Sequence, residues 1–165
     1  MGFIPALLTA ITDGLKGAAA FWLAEALELS LVVIAVAGVW AVVGHNYSLF
    51  LGFRGGAGTA TTVGLAAAMW FPFLPILVII GVIAGVLVGH ASVASITVAV
   101  LLPLIFAVRG ELLNALLLGV PVTFLTLWAL RPNIQRLRDR AERFLPIFER
   151  KPPLICLSRH PAHEK

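Results

Sequence analysis

The sequence predicts an all-α fold, a polytopic helical membrane bundle with about six transmembrane helices, and three observations carry that prediction. Of the 165 residues, 60% are hydrophobic and 12% are charged, where a soluble domain carries about a quarter charged residues; the mean hydropathy is +1.00. Between Leu31 and Leu130 the only Asp, Glu, Lys or Arg residues are Arg54, Arg109 and Glu111, too few to cover a water-soluble surface. Nine of the twelve Lys and Arg residues lie from Arg131 onward. A basic tail directly after a hydrophobic segment is what the positive-inside rule and anionic lipid head groups favour, so membrane lipids, and no nucleic acid, are the expected surroundings.

Breaks at charges, Gly, Pro and His place the helices near Phe3 to Leu27, Leu31 to Val43, Thr59 to Trp70, Pro72 to Gly89, Val93 to Val108 and Leu112 to Leu130. A full crossing takes roughly 20 apolar residues. The segments at Leu31 and Thr59 are short for that, which predicts that they extend into their flanking loops or have their ends buried in protein. Gly81, Ala84, Gly85 and Gly89 recur at a spacing that lets neighbouring helices approach closely. Asp13 and Lys16 interrupt the first apolar run, so no cleavable signal peptide stands out.

The chain divides into a helical bundle over residues 1–130 and a basic tail over 131–165, with no room for a separate soluble domain. In the tail, Arg138, Asp139, Arg140, Glu142 and Arg143 form a charged helical stretch, and beyond it Pro152, Pro153 and Pro161 predict disorder. If the tail is cytoplasmic, counting back puts the Gly44 to Gly58 loop, the His90 to Ser92 turn and the N-terminus on the same side. Arg109 is then the one exception to the positive-inside rule. The single Cys156 excludes an intramolecular disulfide, and the four His residues lack metal-ligand spacing, so no metal site is expected.

The most unusual segment runs Gly44-His-Asn-Tyr-Ser-Leu-Phe-Leu-Gly-Phe-Arg-Gly-Gly-Ala-Gly-Thr-Ala-Thr61. Glycines let backbone N–H groups turn toward one point, and a helix N-terminus adds a favourable dipole, so a phosphate can be held there. Thr59 and Thr61 offer hydroxyl donors and Arg54 a charge. A glycine-rich turn joining two membrane helices has the same composition, and the residues alone leave both readings open.

This pattern is similar to the second signature of the acyl-phosphate-dependent glycerol-3-phosphate acyltransferases, the PlsY family of bacterial membranes. That signature reads Gly-His, a few residues, Phe, then Phe-Lys/Arg-Gly-Gly-Lys-Gly-Val-Ala-Thr. Gly44, His45, Phe50, Phe53, Arg54, Gly55, Gly56, Gly58, Ala60 and Thr61 match it. Asp13-Gly-Leu-Lys16-Gly17 resembles the family's Asp-x-x-Lys-Gly, and Ser92-Val-Ala-Ser95-Ile its Ser-x-x-Ser-Ile. Arg131-Pro-Asn133-Ile134-Gln-Arg136-Leu137, with Glu142 beyond, resembles its His-Arg-x-Asn-Ile-x-Arg-Leu and later Glu.

The resemblance implies a multi-pass protein of the bacterial cell membrane. It implies an enzyme that transfers a fatty acyl group from acyl phosphate to the sn-1 hydroxyl of glycerol 3-phosphate, giving lysophosphatidic acid for phospholipid synthesis. Acyl transfer from an activated mixed anhydride needs orientation and charge stabilisation more than a strong nucleophile, so neither an acyl-enzyme nor a cofactor is expected. Gly55, Gly56 and Gly58 would cradle a phosphate beside Arg54 and Thr61, Ser92 and Ser95 would line the same mouth, and Asn133 and Arg136 would close it.

Asp13 and Lys16 lie three residues apart, on one helix face. They read either as a structural ion pair or as support for the phosphate loop. His45 reads as an interfacial hydrogen-bonding group, and Glu142 as a further supporting residue.

Three departures stand beside these matches. The family's additional N-terminal helix and Ser-Gly-Asn-x-Gly-Ala-x-Asn loop have no counterpart before Asp13. Ala57 stands where the family has lysine, and Leu130 where it has histidine. A buried phosphate without those cations loses charge-assisted hydrogen bonds of roughly 1.5 to 3 kcal/mol each. The alternative to an active enzyme is therefore a catalytically degenerate member that binds a lipid phosphate or serves the membrane without catalysis.

Overall fold

The computed structural model describes residues 3–48 and 55–139. Among them are seven helices, numbered here in chain order: α1 (Phe3–Ala26), α2 (Leu31–Asn46), α3 (Thr59–Met69), α4 (Phe73–Val88), α5 (Ala91–Val108), α6 (Leu112–Ala129) and α7 (Arg131–Arg138). Helices α5 and α6, 18 residues each, are about 27 Å long at 1.5 Å per residue. By length and composition these two alone suffice to cross a membrane, while α2, α3 and α4 are shorter apolar helices.

The two segments expected to be short behave differently. Helix α2 extends three residues past Val43 to Asn46, whereas α3 ends at Met69 after 11 residues and is held by burial of Thr61, Thr62, Val63, Leu65 and Ala66. Large apolar side chains such as Leu7, Trp40, Ile79, Leu104 and Phe124 face outward, as lipid-facing surfaces do and water-facing ones do not.

Helix α1 packs chiefly on α3, and small residues make the contact. A Cβ on Gly17 would collide with the Thr61 carbonyl, and one on Gly64 with the Gly14 carbonyl, so the two backbones touch directly. The glycine spacing in α4 acts the same way: Gly81 leaves room for Val98 and Gly85 for Ala94, both from α5. The core between α2, α3, α4, α5 and α6 gathers Val42, Leu65, Phe73, Leu77, Leu102, Phe106 and Leu118.

Pro103 inside α5 has no N–H to give the Ala99 carbonyl four residues earlier. The Thr123 hydroxyl of α6 lies 2.6 Å from that oxygen and 2.8 Å from the Gly119 carbonyl. The adjoining turn of α6, Ala115–Gly119, is π-helical, and a Cβ on Gly119 would sit 2.8 Å from Pro103 Cα. Both irregularities are thus buried against each other, where protein groups satisfy the freed backbone.

At the tail a helix runs from Arg131 to Arg138 with Asp139 as its C-cap, so it includes Arg138 of the expected charged stretch; Pro132 sits in its first turn, where the missing N–H removes no helical hydrogen bond. The rest of the expected charged stretch, Glu142 included, and the Pro-broken end lie outside the described residues.

Candidate phosphate site

Residues 55–57 have no regular structure and lead into α3 through Gly58, whose φ of 74° is left-handed. The loop lies over the end of α2. Gly55 N–H donates to the Asn46 carbonyl at 3.1 Å, a Cβ on Gly56 would lie 2.7 Å from His45 Nε2, and one on Gly58 would lie 2.6 Å from Asn46 Oδ1. Side chains at these three positions would force the loop off α2, which is the local reason for the glycines.

Helix α5 begins two residues earlier than expected, at Ala91, which puts Ser92 in its first turn with Ser95 one turn on. Three positions apart, the two serines share a face. Ser92 is buried, and Ser95 Oγ returns a 3.4 Å hydrogen bond to the Ala91 carbonyl. Helix α7 contributes Asn133 from its first turn, and Arg131 stacks over Trp128 with 3.1 Å between guanidinium carbon and ring centre.

These pieces meet around one pocket of ≈330 Å³, lined among the described residues by Gly55, Gly56, Ala57, Ala91, Ser92, Ser95, Ala129, Leu130 and Asn133. The segment entering α3 and the first turns of α5 and α7 all line it. Each helix start carries N–H groups without intrahelical partners and the positive end of its dipole, so the pocket favours an anion although no described lining side chain is charged.

Of the residues singled out in the sequence, Gly55, Gly56, Ser92, Ser95 and Asn133 line the pocket, and so do the two departures, Ala57 and Leu130. Gly58 and Thr61 lie behind the loop; Thr61 is fully buried at the start of α3. Arg136 is exposed on α7 and does not reach the pocket wall. Arg54 and Glu142 lie outside the described residues.

Asp13, Lys16 and His45 form a separate cluster beside the α2 end. Asp13 Oδ1 accepts from Lys16 Nζ at 2.9 Å and lies 3.5 Å from His45 Nδ1. Sequence reasoning missed Asn46, buried at 4% exposure with neither amide atom bonded among the described residues. The Thr59, Thr61 and Thr62 hydroxyls are likewise buried without partners there. The only sequence signal for Asn46 is its place beside His45 at the end of an apolar run.

A second, larger hollow of ≈760 Å³ runs between α1, α3 and α4, with a lining almost wholly apolar, from Leu7, Ile11 and Trp22 to Leu77 and Val82.

A helical bundle clad in apolar side chains, with a glycine loop and two helix starts around a pocket at one end, defines an integral membrane protein with a candidate anion site. Comparison with known proteins gives the family. The model of the family described as Glycerol-3-phosphate acyltransferase matches residues 1–140. The glycerol-3-phosphate acyltransferase of Syntrophomonas wolfei is 34% identical over 137 residues, 83% of this chain and 70% of that protein. The Thermus thermophilus protein of the same name is 35% identical over 152 residues, 88% and 73% of the two chains.

Two crystal structures of PlsY, an integral membrane glycerol 3-phosphate acyltransferase, superpose on this fold. The glycerol 3-phosphate form gives a TM-score of 0.80 at 27% identity, covering 88% of this chain and 73% of that one. The lysophosphatidic acid form gives 0.77 at 28%, covering 84% and 71%. The chain belongs to the glycerol-3-phosphate acyltransferase family.

Proposed function

We propose that this protein transfers a fatty acyl group from acyl phosphate to the sn-1 hydroxyl of glycerol 3-phosphate, at the pocket between the Gly55–Gly58 loop, α5 and α7. The observation that carries this reading is the convergence of the glycine loop and the starts of α5 and α7 on a pocket sized for a small phosphate ester. The hydroxyl oxygen forms a bond to the acyl carbon, the mixed-anhydride C–O bond breaks, and inorganic phosphate leaves with the electron pair, the hydroxyl proton ending in net on the released phosphate.

Charge grows on phosphate oxygens as that bond breaks, so fixed N–H donors from Gly56, Ala57 and the first turn of α5 stabilise the transition state more than the ground state, while the Gly55 N–H stays on the Asn46 carbonyl and holds the loop. Ser92, Ser95 and Asn133 orient the polar substrate, with Thr61 behind the loop; Arg54, next to Gly55 in sequence, and Arg136 of α7 are the cations proposed to assist phosphate binding. The acyl chain stays among the apolar helices. The loop, the α5 start and the tail from Arg131 onward face the cytoplasm of a bacterial-type cell membrane, which the excess of Lys and Arg in the tail supports.

The same pocket also favours a second reading. Ala57 and Leu130 leave it without a lysine or histidine cation, which suits a member that binds a phosphorylated lipid and does not turn it over. Purified protein in lipid nanodiscs separates the two. Saturable glycerol 3-phosphate binding together with lysophosphatidic acid formation supports the enzyme, whereas binding without product supports the degenerate member.

A further inference from the structure

The Gly55–Gly58 loop is held by little of its own. Among the described residues its backbone tether to α2 is the single 3.1 Å bond from Gly55 N–H to the Asn46 carbonyl. What lies beneath Gly56 is an imidazole: the space a Cβ would take at Gly56 is 2.7 Å from His45 Nε2. The other ring nitrogen, Nδ1, is turned to Asp13 Oδ1 at 3.5 Å.

Both side chains are largely sequestered, at 16% exposure for His45 and 14% for Asp13, whereas Lys16, which shares the same carboxylate oxygen, is 64% exposed. A charged residue on an apolar helix is expensive to keep there unless it is paired or functional. Lys16 alone would satisfy Asp13 as an exposed pair of little energetic weight. The cross-helix contact to His45 is the part that the α1–α2 packing has to hold in register.

We infer that Asp13 and His45 act as one unit of positioning residues: the Asp13 carboxylate fixes the His45 ring, and the ring fixes the height of the Gly56 backbone at the pocket. Neither residue lines the pocket, so neither is a catalytic residue. The 3.5 Å approach of Nδ1 to the Asp13 carboxylate orients the ring. Rotation of an unanchored ring would leave Gly56 without support, and the N–H groups of the loop would lose their common aim. The claim rests on reading that loop as the phosphate cradle of the proposed function.

The test combines hydrogen exchange with kinetics on the full-length protein in nanodiscs, comparing wild type with Asp13→Asn, His45→Ala and the double variant. Exchange of the loop amides reports local opening directly. Each single substitution is expected to speed that exchange about tenfold and raise the glycerol 3-phosphate KM about tenfold, with a smaller fall in kcat, because misplacement of a binding group acts on geometry. The double variant is expected to match the singles, since breaking one unit twice adds nothing. Protection in α4 and α5 should stay at the wild-type level.

His45→Asn, which keeps a donor for Asp13 but loses the Nε2 arm, should behave as His45→Ala does; it decides the matter if the alanine variant fails to fold. Unchanged loop exchange in folded variants, or single effects that add in the double variant, would overturn the inference. Absence of turnover in the wild type would count against the proposed enzyme, while loop exchange would still decide whether Asp13 and His45 form the brace.

Discussion

Ala57, in the loop before α3, and Leu130, at the end of α6, line the same pocket. Two positions far apart in sequence, where the resembled signatures carry lysine and histidine, thus present uncharged side chains to one place. The pocket keeps its helix starts and its serines, so an anion there depends on backbone donors and on whatever the flanking arginines add.

Restoring the two cations tests that dependence. The Ala57→Lys, Leu130→His variant should bind glycerol 3-phosphate at least about tenfold more tightly than the wild type, because one charge-assisted hydrogen bond contributes roughly 1.5 to 3 kcal/mol. Isothermal titration at fixed salt measures it, and an unchanged affinity would mean that phosphate sits elsewhere.

A side chain at Gly56 would displace the His45 ring, since its Cβ position is 2.7 Å from His45 Nε2. Gly56→Val should lower the acyltransfer rate by about a hundredfold or more while circular dichroism stays that of the folded bundle. A variant with near-normal turnover would remove the loop from the site.

The α1–α3 seam is a stability prediction. At Gly17 and Gly64 a side chain meets backbone that cannot yield, so Gly17→Leu or Gly64→Leu should destabilise beyond the roughly 1 to 3 kcal/mol of ordinary overpacking. Thermal unfolding in detergent should show a large fall in Tm or no cooperative transition. A Tm within a degree or two of wild type would contradict direct backbone contact.

Thr123 and Pro103 should be coupled. Thr123→Val removes the hydroxyl donor to the Ala99 carbonyl and should cost about 0.6 to 1.7 kcal/mol, from the average to the upper end for hydrogen bonds between membrane helices. In a Pro103→Ala background a backbone N–H is restored at that position and can take up the carbonyl, so the same Thr123 substitution should cost much less. A double-mutant cycle of unfolding free energies reads the difference, and additive effects would rule out the compensation.

Glu111 sits in the turn between α5 and α6. The hydrogen bond from Asn114, and then the hydrogen bonds and charge of Arg109, hold its carboxyl below the usual carboxylate range against an opposing effect of burial. A depressed folded-state pKa contributes stability that is fully present above the unfolded value of about 4.3 and is lost as pH falls through the folded value. The stability advantage of wild type over Glu111→Gln should therefore shrink as pH drops from about 6 toward about 3. An advantage that grew with acidity would have the wrong sign.

Much of this was legible in the sequence because lipid imposes a simple grammar. Gly, Pro and charged residues mark the ends of α3, α4, α5 and α6, and the loop motifs that carry Gly55, Gly56, Ser92, Ser95 and Asn133 fall at those ends. Hidden features depend on through-space register. Nothing in the chain says that Gly17 meets Thr61, or that Thr123 on α6 reaches the carbonyl freed by Pro103. The helix Arg131–Arg138 begins around Pro132, whose missing N–H the first turn tolerates. Asn46 was overlooked because one buried amide has no periodic signature.

The most direct measurement is product formation by the protein itself. Wild type in lipid nanodiscs, given acyl phosphate and glycerol 3-phosphate, should yield lysophosphatidic acid and inorganic phosphate in equal amounts, and Ser92→Phe, which fills the pocket, should yield neither. No product from folded wild-type protein, or equal turnover by wild type and Ser92→Phe, would contradict acyl transfer at this pocket.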